Sequence, residues 1–129
     1  MTRYMLDTTA LIDFSKGREP ASSRILRMIE SGDKVGVCAI VVAEFYAGLA
    51  PEQRVRWDEF FEALLFWGVT LEAAKQAGVW CYEFARKGAQ LSTTDLLVAA
   101  VANQREAVLV TNNVKDYPMD EINVLPLKD

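Results

Sequence analysis

The chain contains no histidine. That absence removes the Ser-His-Asp and Cys-His nucleophile systems, the HExxH zinc site and ribonuclease chemistry built on imidazole. Any catalysis falls to carboxylates, hydroxyls, lysine, arginine or a bound ion. Cysteine is scarce as well: Cys38 and Cys81 stand far apart with no CxxC spacing, so a zinc set cannot be completed. Both are expected to be ordinary buried thiols. No apolar run approaches the ~18–20 residues that cross a bilayer, and the N-terminal MTRYMLD has no signal-peptide pattern. The expectation is a cytoplasmic protein without a membrane partner. A basic excess is also missing. The formal charge of −4 argues against broad electrostatic capture of nucleic acid, an objection that weakens if the acids gather around cations.

What is present fits one compact domain over residues 1–129. With 51% hydrophobic and 25% charged residues, the chain can bury a core, and disorder is excluded. The stretch Leu91 to Pro118 carries the strongest local signal. Ser92, Thr93 and Thr94 are good N-cap types, Asp95 follows them, and Leu96, Leu97, Val98, Ala99, Ala100 and Val101 read as a helix. The run AVLV then predicts a buried parallel strand ending at the polar turn Thr111-Asn112-Asn113, with Asp116 just beyond. Ligands of open α/β sheets bind outside the carboxyl ends of strands, which would bring both acids to one cleft. An aspartate in a first helical turn has a plainer role too, favouring the positive helix end by roughly 0.3–1 kcal/mol.

The N-terminus repeats the pattern. Arg3 to Leu6 predicts a first strand ending at Asp7, and the chain turns at once into a helix with Thr8 or Thr9 as cap. Lys16 to Pro20 reads as a loop, and Ala21 to Ser31 as an amphipathic helix stopped by Gly32. Lys34 to Ala39 predicts a second strand, and Ile40 to Leu49 a helix apolar almost all round, with Glu44 its only charge. A glutamate buried there demands an ion pair with an arginine, a hydrogen bond or a cation. Pro51 opens a further helix through Leu65, Phe66 to Val69 suggests a third strand, and Leu71 to Arg86 a long helix. The aromatic faces of these two helices, with Trp57, Phe60 and Phe61 on one and Trp80, Tyr82 and Phe84 on the other, predict core or dimer interface. Ile122 to Leu125 supplies a fifth, edge strand before Pro126. The alternation predicts an α/β fold: one α/β/α sandwich around a mostly parallel five-stranded sheet.

Four acids stand out: Asp7, Glu44, Asp95 and Asp116. Four carboxylates about 5 Å apart would repel by roughly 1–3 kcal/mol per pair, so such a pocket needs protons or hard cations. Oxygen-only ligands favour Mg2+ or Mn2+, and one or two such ions activate water and stabilise the leaving oxygen in phosphodiester hydrolysis. That chemistry needs no histidine. Asp13, in the first helix, reads as a solvated or capping residue.

Four segments carry a resemblance: YMLDTTALID with Asp7, IVVAEFYAG with Glu44, STTDLLVAAVA with Asp95, and LVTNNVKDYP with Thr111, Asn112 and Asp116. In this order they resemble the PIN-domain ribonucleases, and among them the VapC-type toxins of toxin–antitoxin pairs. The resemblance covers essentially the whole chain. It implies a parallel five-stranded sheet, an acidic Mg2+ or Mn2+ pocket, endonucleolytic RNA cleavage, a homodimer, and a cognate VapB-type antitoxin within a larger assembly. Asp7, Glu44 and Asp95 match the family's three most regular acids. The fourth position varies, and Asn113 stands where some members have another acid, so Asp116 would act directly or through water. Thr111 and Asn112 would support the acids or position water. Lys16, Arg18, Arg86, Lys87 and Lys115 are the candidate phosphate contacts.

Two other functions compete. A phosphoacceptor receiver module wants paired acids after the first strand and a lysine after the last; here the first ends in Asp7 alone and the last in Leu125-Pro126. A catalytically silent PIN-like dimer remains the alternative that keeps the fold.

Overall fold

The computed structural model describes residues 2–127, so both extremes of the expected domain 1–129 lie outside the described residues. Five strands form one parallel sheet: β1 (Arg3–Leu6), β2 (Lys34–Cys38), β3 (Leu65–Trp67), β4 (Val108–Thr111) and β5 (Val124–Pro126). Their order is β3-β2-β1-β4-β5. Met5 lies opposite Gly36 on one side and Leu109 on the other, so β1 is central and buried. Parallel strands covered on both faces read as continuous apolar runs, which is why VGVC and VLV were visible in sequence.

Six helices cover the sheet: α1 (Thr8–Ser15), α2 (Ala21–Glu30), α3 (Ala39–Ala47), α4 (Arg54–Glu62), α5 (Leu71–Arg86) and α6 (Thr93–Arg105). The packing of α5 against α6 is the most extensive between helices. Leu96 and the run Val98 to Ala102 are buried there, and small alanines let the neighbouring backbones approach. α2 ends as read: Gly32 follows its cap at φ 82°, a conformation that costs a glycine little.

Several local expectations change. Asp7, rather than Thr8 or Thr9, caps α1: it is the last extended residue (φ −86°, ψ 175°), and its carboxylate accepts from the Ala10 amide at 2.9 Å. The helix expected from Pro51 to Leu65 divides into a 3-10 turn, Pro51–Gln53, and α4, while Leu65 starts β3. Strand β5 begins two residues later than read and includes Pro126, whose missing N–H is tolerated on a sheet edge. Cys38 is buried, but Cys81 is exposed, one residue off the Ala73–Ala77–Trp80 stripe that faces inward from α5.

The aromatic face of α4 is core. Trp57 meets Phe45 edge-on at 5.3 Å between centroids, and Phe14 stacks on Phe60 at 5.2 Å. This cluster joins α1, α3 and α4 into one unit beside the carboxyl end of β1. Trp67 of β3 lies against Gly36 of β2 so closely that a Cβ there would meet the indole at 2.7 Å.

Candidate active site

The site is built where the chain changes winding direction. From β1 it moves to β2 and β3 on one side, then returns past β1 to β4 and β5 on the other. The carboxyl ends of β1 and β4 therefore frame a crevice. Asp7 stands at its floor, 3% exposed, with its amide bonded to the Val110 carbonyl at 3.0 Å. Its Oδ1 accepts from the Thr9 hydroxyl at 2.8 Å and from Ala10, and Oδ2 accepts from the Thr111 hydroxyl at 2.5 Å. Burial holds the Asp7 carboxyl above its usual pKa. Bonds from Thr111, Ala10 and Thr9 oppose that shift, and the charge of Asp95 adds to it.

Asp95 enters from the first turn of α6. Ser92 is the cap, its hydroxyl accepting the Asp95 amide at 3.1 Å, so the short segment before α6 fixes where the acid points. Asp7 and Asp95 meet at Tyr117, whose hydroxyl lies 3.4 Å from Asp7 Oδ2 and 3.4 Å from Asp95 Oδ1. Tyr117 is buried, and its phenol is held far above its ordinary pKa by burial first, then by the charges of Asp7 and Asp95. It has one proton and two acceptors, so it serves one carboxylate at a time. Sequence reasoning missed Tyr117. Its signal was a lone phenol between an acid and a proline just past a strand, which is indistinguishable locally from a core aromatic.

Glu44 is not buried. It projects to the exposed side of α3, while Val41 and Phe45 take the inner side. No arginine pairs with it among the described residues; its Oε1 accepts from the Thr8 hydroxyl at 2.7 Å. Because Thr8 follows Asp7 directly, that bond ties Glu44 to the same turn. Asp116 closes a 3-10 turn, Val114–Asp116, half-buried, and its charge also reaches the Tyr117 phenol. Asp13 is a correction as well: it is buried, not solvated, because Arg18 pairs with it at 3.1 Å and the Asn112 side-chain amide donates to its other oxygen. Asn112 in turn gives its backbone N–H to Thr9 at 3.1 Å, so Thr111 and Asn112 bind the β4 end to α1.

The PIN domain model matches residues 4–121, nearly the whole chain. This chain belongs to the PIN-domain family. Two curated relatives of this PIN domain carry VapC names. Ribonuclease VapC19 of Mycobacterium tuberculosis is 27% identical over 115 residues, 89% of this chain and 92% of that protein. The tRNA(fMet)-specific endonuclease VapC of Salmonella typhimurium is 30% identical over 122 residues, 91% of each. The solved structure of DNA-bound VapBC from Salmonella typhimurium aligns over 98% of this PIN domain and 99% of its own chain, with TM-score 0.81 and 26% identity.

The PIN fold raises the question of a divalent cation. Among the described residues, no group of three or more His, Cys, Asp and Glu side chains is arranged to hold a metal ion. Of the four expected acids, Asp7 and Asp95 form a pair facing the Tyr117 hydroxyl, and Glu44 is held toward Thr8. A pair fits Mg2+, which keeps several waters and commonly takes one or two carboxylates together with substrate phosphate. The donors are all oxygen, and buried Asp7 with the charge of Asp95 beside it gains from a counter-charge.

The candidate phosphate contacts separate. Arg18 is committed to Asp13. The guanidinium of Arg86 lies 3.8 Å from the Tyr82 ring centre, and Lys87 borders a cavity shared with Glu83, Asp120 and Glu121. Lys115 is exposed beside Asp116, and Lys16 lines a groove that contains Glu44.

Proposed function

We propose that this PIN domain is a metal-dependent endoribonuclease, the toxin of a type II toxin–antitoxin pair, working with Mg2+ or Mn2+ and silenced by a cognate VapB-type antitoxin. The observation that carries the reading is the meeting of Asp7 and Asp95 at the Tyr117 hydroxyl, in the crevice between β1 and β4. Such an ion, when bound, supplies an acidified water and a counter-charge for the scissile phosphate. The residues supply its place. Asp7 and Asp95 are the principal ligands, Glu44 approaches through Thr8, and Asp116 acts directly or through water. Thr111 holds Asp7 in one rotamer. Hydrolysis of this kind leaves 5′-phosphate and 3′-hydroxyl ends and makes no use of the 2′-hydroxyl. Cellular RNA as substrate goes with a cytoplasmic setting; the likeness to VapBC supports an antitoxin partner, and a homodimer is part of the proposal.

The decisive experiment incubates purified, antitoxin-free protein with total cellular RNA in Mg2+ or Mn2+ and in EDTA, beside Asp95→Asn. The Salmonella relative makes initiator tRNA the first defined substrate to try. Discrete, EDTA-sensitive fragments missing with the variant support the nuclease; 2′,3′-cyclic phosphate ends would sink the water mechanism. The competing reading is a catalytically silent PIN scaffold, favoured by the lack of a three-acid cage among the described residues. Folded, metal-loaded protein that leaves every RNA intact would select it.

A further inference from the structure

The sheet crevice accounts for the reacting phosphate but not for the RNA on either side of it. A groove of about 440 Å³ lies between α1, α3 and the N-terminal part of α4, and Glu44 is on its wall. Ser15, Lys16, Gln53, Arg56 and Trp57 also line it. It holds two cations and one acid, the reverse of the chain's overall balance of 14 basic to 18 acidic residues. That acid is Glu44, already turned toward the Asp7 turn through Thr8.

Three other arginines are occupied elsewhere. Arg18 pairs with Asp13, and Arg3 and Arg24 donate to the main-chain carbonyls of Arg105 and Pro126. Among the described residues, no carboxylate forms an ion pair with Lys16 or Arg56. The Arg56 guanidinium lies 5.2 Å from the Trp57 ring centre, an arrangement that limits its rotamers and leaves its N–H groups for a planar, bidentate acceptor. At 1.5 Å per residue, α1 carries the chain about 13 Å from Asp7 to Lys16, too far for the same phosphate.

We infer that this groove is a binding subsite for single-stranded RNA flanking the cut, with Lys16 and Arg56 taking its phosphates and Ser15 and Gln53 offering hydrogen bonds to its sugars or bases. The inference rests on the proposed RNA cleavage and adds the path by which substrate leaves the acids. Charge favours this occupant over an acidic peptide only in company with position: Glu44, on the groove wall, is bonded to Thr8, next to Asp7. Arg56 contributes a contact that no sequence motif marks.

The test measures binding rather than turnover. A short fluorescent single-stranded oligoribonucleotide is titrated, by anisotropy over a range of KCl, with Asp95→Asn protein and with the same protein carrying Lys16→Ala and Arg56→Ala. The double change is expected to weaken binding about tenfold or more and to flatten the plot of log affinity against log salt by roughly 1.4, near 0.7 per lost phosphate. Arg56→Lys should recover the salt slope. Lys34→Ala, at the opposite end of the strands, should leave both quantities alone. If the Asp95→Asn protein binds RNA and the double variant matches it in affinity and slope, the subsite is overturned while the nuclease reading stands. If the double variant keeps RNA binding but no longer binds antitoxin, the groove belongs to a protein partner and the inference is likewise wrong. Absence of both RNA binding by the parent and cleavage by wild type would remove the proposed function and the subsite together.

Discussion

The hydroxyl of Thr111, at the end of β4, donates to Oδ2 of Asp7, at the end of β1, across 104 positions of sequence. The bond does two things: it closes the crevice between neighbouring strands, and it stabilises the ionised form of a buried acid. Thr111→Val removes the donor while keeping the branched shape. A hydrogen bond to a charged group contributes about 1.5–3 kcal/mol, and the variant is expected to lose a comparable amount in urea melts at neutral pH. Thr111→Ser should retain most of it. An unchanged midpoint in Thr111→Val would show that Asp7 does not depend on this donor.

The raised pKa of Asp7 gives its contribution to stability a definite sign. Its ordinary value is 3.8, and burial lifts it in the folded protein. The native state then holds the proton more tightly than the unfolded chain, so stability falls as pH rises from 3.8 through the raised value. Asp7→Asn abolishes that fall. Its Oδ1 can still cap Ala10, and the Thr111 hydroxyl can turn to accept from Nδ2. In EDTA, the variant should be more stable than wild type at neutral pH, with the advantage gone near pH 4. A variant that melts many degrees lower at neutral pH would mark the carboxylate as structural.

Mg2+ is expected to raise the melting temperature of wild-type protein, since binding to the folded state alone contributes about 2.7 kcal/mol at a hundred times Kd. Neither Asp7→Asn nor Asp95→Asn should respond comparably. Equal responses from all three would place the ion elsewhere.

Gly36 is fixed by its neighbour rather than by its backbone. A Cβ at this position would stand 2.7 Å from the Trp67 ring, inside the sheet, where the indole has little room to retreat. Gly36→Ala should cost about 1–3 kcal/mol by overpacking, read as a lower urea midpoint. Recovery on adding Trp67→Leu would identify the clash as the cause.

The sheet, its five strands and the run of helices were legible because each is a local pattern: valine-rich runs, capping residues, the apolar stripe of α5. The side on which a residue faces was less legible. α3 is apolar almost all round, so its sequence did not say that Val41 and Phe45 turn inward while Glu44 meets solvent. Asp13 looked like a solvated acid because Arg18 and Asn112 reach it from a loop and from the far end of β4. Tyr117 was hidden for the same reason: its two acceptors lie 110 and 22 residues away. Asp7 was recognised as an acid of interest, but its second duty as the cap of α1 was assigned to its neighbours.

That shared duty, together with the distance from Asp7 to Thr111 and Tyr117, sets an order of events during synthesis. A chain growing from its N-terminus exposes Asp7 and Glu44 early, as two solvated acids on an incomplete sheet. Thr111 and Tyr117, which complete the surroundings of Asp7, arrive with β4 and the turn after it, in the last fifth of the chain. Until that segment leaves the ribosome, the crevice has only one wall. On the proposed function, a shortened chain lacking that segment would hold Asp7 without the Thr111 and Tyr117 hydroxyls that face it.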